Sequence, residues 1–264
     1  MKRTIIHSLH NVPAGEKLFV AECVAKNLIG KNIFSLKFVA QPDSQKNTFF
    51  FKPGQWVDVI IPSVETVGGF SLTSTMSTLP NFELAVKRAN HPPTKFLTEE
   101  LKVGEKISVR AGGEFFWEQE PCVLLVAGGI GINPCVSILK AMSEYLDDLA
   151  ERNVKTELPK VALLYTAKDA ESLIFVDEIE EQGLKHPHNI FVRARSSEVD
   201  GRLTEVEVDE ALAFLRPTDA AKLSKSEPKA NPVTSFLVGP PTMCEDFESL
   251  LLSKGVDCRV ERWW

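Results

Sequence analysis

The sequence predicts two domains, an antiparallel six-stranded β-barrel followed by a parallel-sheet α/β domain, and three observations predict it. From Phe19 to about Trp117 short apolar runs recur between turn residues such as Pro53-Gly54, Leu79-Pro80-Asn81 and Gly104, the rhythm of a barrel. Beyond Glu118 strand-like and helix-like patterns alternate, which implies parallel strands flanked by helices. At 264 residues the chain is long enough for two domains with proper cores.

In the first domain, residues 1–118, the predicted strands are 19–25 (FVAECVA), 33–39 (IFSLKFV), 56–61 (WVDVII), 69–74 (GFSLTS), 82–86 (FELAV) and 106–110 (KISVR). One helix interrupts them over 93–101, with a proline start and Phe96, Leu97 and Leu101 on one face. In the second, residues 119–264, strands are predicted over 123–127, 161–165, 190–194 and 236–238, and helices over 133–149, 173–181, 206–214 and 243–253. The boundary falls at the polar hinge Glu118 to Pro121, and the Lys-, Ser- and Pro-rich stretch 218–233 reads as a mobile loop.

The segment LLVAGGIGINP holds the strongest local signal. A strand breaks into Gly128, Gly129 and Gly131, with Ile130 and Ile132 between and beyond them, and a helical pattern follows. Glycines permit close approach to the main chain, and a helix N-terminus attracts phosphate. The sequence places Asn133 at the N-cap and Pro134 at the first helical position, in the spacing Gly-Gly-x-Gly-x-x-Pro. Replacing Gly131 by valine is expected to weaken dinucleotide binding with the fold largely intact. A second turn, Gly239-Pro240-Pro241-Thr242-Met243, ends another strand and opens another helix. Ligands of open parallel sheets lie beyond the carboxyl ends of strands, so the two turns can converge on one dinucleotide. Read alone, the first turn favours a phosphate-binding loop over an ordinary tight turn, whereas the Gly-Pro-Pro turn alone reads as structural.

A formal charge of −6 argues against a general nucleic-acid binder. Five cysteines at irregular spacings, with no Cys-x-x-Cys pair, read as reduced, mostly buried thiols in a reducing compartment, cytoplasmic or mitochondrial. His186-Pro187-His188 reads as a polar loop, and no metal pattern is present. No apolar run approaches the roughly 20 residues of a membrane span. The first fifteen residues carry Lys2 and Arg3 and no acid, but read as a frayed terminus rather than a transit peptide.

The strings FKPGQWVDV, GGFSLTS, AVKRANHPP, GGEFF, AGGIGINP, GPPTM and the terminal RWW occur in an order that resembles the ferredoxin-NADP reductase superfamily, over about Phe19 to Trp264. The resemblance implies a flavin-binding barrel, with FAD favoured over FMN, and an NAD(P)-binding α/β domain. The superfamily's Arg-x-Tyr-Ser/Thr element is matched by Gly68, Gly69, Phe70 and Ser71, followed by Thr73 and Ser74. It implies that Phe70 lies flat against the isoalloxazine and that the Ser71 hydroxyl meets the reactive flavin nitrogen. Gly68 replaces the phosphate-binding arginine, leaving backbone N–H groups, Lys87 or Arg88 to compensate and flavin retention weakened. Thr94 matches the hydroxyl residue at the barrel's helix, where flavin pyrophosphate rests, although the family's glycine there is absent. Trp263 or Trp264 matches the C-terminal aromatic that covers the other flavin face, and reads equally as a packing anchor. Val238 replaces a cysteine near the hydride-transfer centre of many relatives.

The resemblance therefore implies an oxidoreductase that passes hydride from NADH or NADPH to flavin and electrons to an unidentified acceptor, a small molecule or a redox protein. The nucleotide's pyrophosphate is expected at 129–133 and its nicotinamide at Gly239 to Met243. Loss of the arginine and cysteine also fits a non-catalytic NAD(P)H-binding module. A hydrolase with Ser71 or Ser74 as nucleophile is a poor reading, since neither lies in a strand-to-helix elbow. For the adenosine ribose the sequence offers both signs: Lys168 and Asp169 after one strand, Arg193 and Arg195 on the next. Asp169 leans the reading to NADH, whereas Arg195 as a 2′-phosphate ligand would make it NADPH.

Overall fold

The computed structural model describes residues 17–154, 158–216 and 232–262 and divides the chain into two units, residues 1–116 and 117–264. Among its described residues the first unit holds six antiparallel strands, β1 (Phe19–Gly30), β2 (Ile33–Ala40), β3 (Trp56–Ile60), β4 (Gly68–Ser71), β5 (Asn81–Lys87) and β6 (Lys106–Gly112), in the order β4-β3-β6-β1-β2-β5. The two end strands meet: Leu72 bridges Leu84, the Thr73 N–H donates to the Glu83 carbonyl at 2.9 Å, and the Glu83 N–H donates to Ser74 Oγ at 3.0 Å. These contacts close the sheet into the predicted barrel and remove its open edges.

Strand alternation fills the interior with Leu36, Phe38, Val57, Val59, Phe82, Leu84, Ile107 and Val109. Phe38 and Phe82 face each other in register and stack at 5.3 Å. The predicted helix begins one residue early, as α1 (Pro92–Lys95), and continues as a π-helical turn (Phe96–Glu100). That wider turn keeps both Leu97 and Leu101 buried against the barrel core.

In the second unit β7 (Cys122–Gly128), β8 (Lys160–Ala167), β9 (Ile190–Ser196), β10 (Val233–Gly239) and β11 (Asp257–Arg262) are all parallel, in the order β11-β10-β7-β8-β9. They alternate with α2 (Ile132–Glu151), α3 (Val176–Lys185), α4 (Glu205–Leu215) and α5 (Pro241–Ser253). The sequence-predicted fold class is the one observed. Strand β7 is buried throughout, which is why VLLVA reads as a continuous apolar run.

Several boundaries differ. β11 was not predicted, because DCRVER is a half-exposed edge strand whose charges resemble a loop. Asn133 is not the N-cap and Pro134 is not the first helical residue: the 3-10 turn Gly129–Gly131 winds directly into α2, whose N-cap is Gly131. Pro134 is tolerated because the first four helical N–H groups lack intrahelical partners anyway. Helix α3 starts at Val176 rather than Leu173, since Asp169 caps a separate 3-10 turn, Ala170–Ser172, and the buried Tyr165 hydroxyl accepts from the Ile174 N–H at 3.2 Å. Of the predicted loop 218–233, residues 218–231 lie outside the described residues, and Val233 already pairs with Cys122 in β10.

Cys23, Cys122, Cys135 and Cys244 are buried and Cys258 half-buried, all as free thiols. No helix among the described residues is long and apolar enough to cross a membrane.

Candidate functional site

The strand order reverses between β7 and β10, whose connections lead to opposite sides of the sheet. Such a switch point opens a crevice at the carboxyl ends of the strands. Both glycine turns stand at it, because Ala127 and Val238 are in register. They touch without intervening side chains: a Cβ on Gly239 would lie 3.1 Å from the Gly128 Cα, and one on Gly128 would lie 2.6 Å from Met243 Sδ and 2.8 Å from Pro240 Cδ.

The three glycines of the first turn have different duties. Gly129 has φ +56°, and a Cβ there would meet nothing within 4 Å, so its outer side is open space. Gly131 is the opposite case, since its Cβ would lie 2.8 Å from the Val238 carbonyl oxygen and 3.0 Å from its carbon. The expectation that valine at 131 leaves the fold largely intact is therefore corrected: Gly131 seats the start of α2 against β10. The N-terminus of α2 has no side-chain cap. The side chains of Ile132, Asn133 and Pro134 are buried, and Ile130 is half-exposed, so a phosphate at this turn would meet main chain.

On the β10 side of the switch point Pro240 is the exposed N-cap of α5, Pro241 its first residue, and Met243 half-buried against Gly128. Cys244 Sγ donates to the Gly239 and Glu261 carbonyls at 3.5 and 3.7 Å. Burial pushes its thiol up to about 11, so at neutral pH it is protonated and braces the turn.

In the barrel, β4 and the start of α1 bring Gly68, Phe70 and Pro93 together. A Cβ on Gly68 would lie 2.6 Å from Phe70 Cε2 and 2.7 Å from Pro93 Cβ, so these two rings crowd the side of Gly68. Gly69 and Phe70 are half-exposed, and Ser71 is buried with no side-chain hydrogen bond among the described residues. Thr73 and Ser74 close the barrel through Glu83. Thr94 Oγ1 lies 3.4 Å from His91 Nδ1, and Lys87 is exposed at the end of β5. Trp263 and Trp264 lie outside the described residues. Gly68→Arg is expected to lower barrel stability by about 1–3 kcal/mol rather than restore an anion site, as overpacking does; thermal unfolding followed by circular dichroism checks this.

Arg195, on β9, is occupied. Its Nη2 lies 2.7 Å from Glu207 Oε1, and its Nη1 donates to the Arg202 carbonyl at 3.1 Å. Glu207 completes the capping box of α4 with Thr204, a Thr-x-x-Glu spacing that is legible in the sequence.

Residues 125–249 match the oxidoreductase NAD-binding domain family. Oxidoreductase NAD-binding domain-containing protein 1 of Bos taurus is 36% identical over 231 residues, which cover 82% of this chain and 72% of that protein. The chain belongs to the oxidoreductase NAD-binding domain-containing protein 1 family. Among solved structures, the FAD/NAD-binding domain of nitric oxide dioxygenase from Vibrio cholerae matches with a TM-score of 0.65 and 21% identity, over 94% of this chain and 98% of that one. Ferredoxin-NADP+ reductase from Plasmodium falciparum, the H286K mutant in complex with 2′P-AMP, matches with a TM-score of 0.68 and 17% identity, over 92% of this chain and 96% of that one. The fold of this family member is that of the ferredoxin-NADP reductases, and its α/β unit is an oxidoreductase NAD-binding domain.

Proposed function

We propose that the chain is a flavin-dependent oxidoreductase that takes hydride from NAD(P)H and delivers electrons to a small-molecule or protein acceptor. The observation that carries this reading is the contact of the Gly128 and Gly239 turns at the switch point of an oxidoreductase NAD-binding domain. The open side of Gly129 admits a pyrophosphate to within main-chain distance, and the positive end of α2 favours its charge. Pro240, Pro241 and Met243 form a rigid rim for the nicotinamide end. Rigid turns fix orientation, which is the protein's main contribution when the cofactor carries the chemistry.

The barrel residues fit the ring end of a flavin. Phe70 offers a half-exposed ring, the Ser71 hydroxyl is available for a ring nitrogen, and Thr94 with Lys87 remains for the phosphates. When bound, a flavin supplies the conversion between two-electron and one-electron transfer. The chain's own part is to hold that ring between fixed groups and to exclude water from the transfer.

A second reading, a non-catalytic NAD(P)H-binding module, is favoured by one observation: residue 68 is a glycine with no cationic side chain, and Phe70 and Pro93 crowd the place where a side chain there would begin. The visible absorption spectrum separates the two. The enzyme reading expects a flavin band, restored by added FAD where the preparation emerges partly empty, that bleaches on addition of NADH. A protein that binds NADH yet takes up neither FAD nor FMN is the module.

A further inference from the structure

We infer that Glu207 makes this chain select NADH over NADPH by holding Arg195 away from a 2′-phosphate. The inference rests on the proposed dinucleotide site and adds its choice of substrate. Sheet register locates the relevant groups: Gly128 pairs with Thr166, and Thr166 pairs with Arg195. Arg195 therefore stands in the same row as the glycine turn, two strands and about 10 Å away, by the usual strand spacing. That is the reach of an adenosine ribose from a pyrophosphate seated at the turn. The ends of β8 and β9 are tied together there by Ser196 Oγ donating to the Lys168 carbonyl at 3.1 Å and the Ser197 N–H donating to the Ala167 carbonyl at 2.8 Å.

Three cations near this row already have carboxylates. Lys168 lies 3.4 Å from Glu198 and Arg193 lies 2.9 Å from Glu210, both pairs well exposed and hence easily exchanged. The Arg195–Glu207 pair differs, with the two side chains only 19% and 10% exposed. Glu207 is also fixed from the other side, where its Oε2 accepts from the Thr204 N–H at 2.8 Å and from the Thr204 hydroxyl. The Thr204 hydrogen bonds, with Arg195 adding a smaller effect, hold the Glu207 carboxyl below the usual carboxylate range, so it is ionised at neutral pH. A 2′-phosphate reaching Arg195 would have to break this pair and would then face Glu207, a like charge. An unphosphorylated ribose meets neither cost, and Asp169, at the end of β8, adds to the bias.

Glu207→Gln tests this, because glutamine keeps the capping box through its carbonyl oxygen while removing the charge. Affinities for NADH and NADPH are measured by calorimetric titration of the full chain, with thermal melts confirming folding. Wild type is expected to bind NADH at least about tenfold more tightly than NADPH, and Glu207→Gln to shrink that ratio by about tenfold, the scale of one charge-assisted hydrogen bond. Adding Arg195→Ala to Glu207→Gln should return the ratio toward that of wild type, a coupling that a merely structural Glu207 would not produce. A wild type that prefers NADPH, or a ratio unmoved by Glu207→Gln, overturns the inference. Failure of both nucleotides to bind a folded protein overturns the dinucleotide site itself, and the inference with it.

Discussion

Gly131→Val is expected to unfold or grossly loosen the α/β unit, with a loss of more than about 3 kcal/mol, the upper part of the range for overpacking. The added Cβ would lie 2.8 Å from the Val238 carbonyl oxygen, and a backbone atom in a central strand cannot swing aside as a side-chain tip can. Gly129→Ala serves as its counterpart. There the cost to folding is only the left-handed conformation, φ +56°, about 1–2 kcal/mol, since the methyl group enters open space. That space is where the pyrophosphate is proposed to lie, so NADH affinity is expected to fall by about tenfold or more in a folded protein. Urea unfolding and NADH titration of both variants separate the two roles. A Gly131→Val protein as stable as wild type, or a folded Gly129→Ala protein with unchanged affinity, contradicts this assignment.

The second large effect belongs to the barrel. Asp58 and Arg110 are cross-strand neighbours on β3 and β6, with Arg110 Nε donating to Asp58 Oδ2 at 3.1 Å and Nη2 to the same oxygen. Asp58 is 1% exposed and Arg110 13% exposed. Arg110→Met would leave a buried carboxylate without its guanidinium, and removing one member of such a pair costs about 3–5 kcal/mol. Replacing both, as Asp58→Leu with Arg110→Met, should cost far less, because neither charge is then stranded. Thermal unfolding of the single and double variants checks the difference. Equal losses would show that Arg110 acts through packing of its stem rather than through its charge.

Period and punctuation made most of the architecture legible. Apolar runs between turn residues gave the barrel strands, and the change of rhythm near Glu118 gave the parallel sheet. Where the structure departs from these expectations, contacts outside the local apolar pattern decide. The start of α3 depends on Tyr165, nine residues before Ile174, and the start of α2 depends on how closely Gly131 packs on Val238. β11 carries little sequence signal because an edge strand has one neighbour, here β10, and needs little apolar character.

Local pattern determined which segments would be strands, turns and helices, because backbone preferences and burial periodicity act over a few residues. It also marked two glycine turns as candidates for a phosphate. Only the tertiary structure decided which glycine faces open space and which touches a neighbouring strand, that Phe70 and Pro93 fill the side of Gly68, and that Arg195 is held by Glu207. Those outcomes depend on contacts between residues far apart in the chain. A side chain's charge can be read from the sequence, but its availability is set by whatever the fold packs against it.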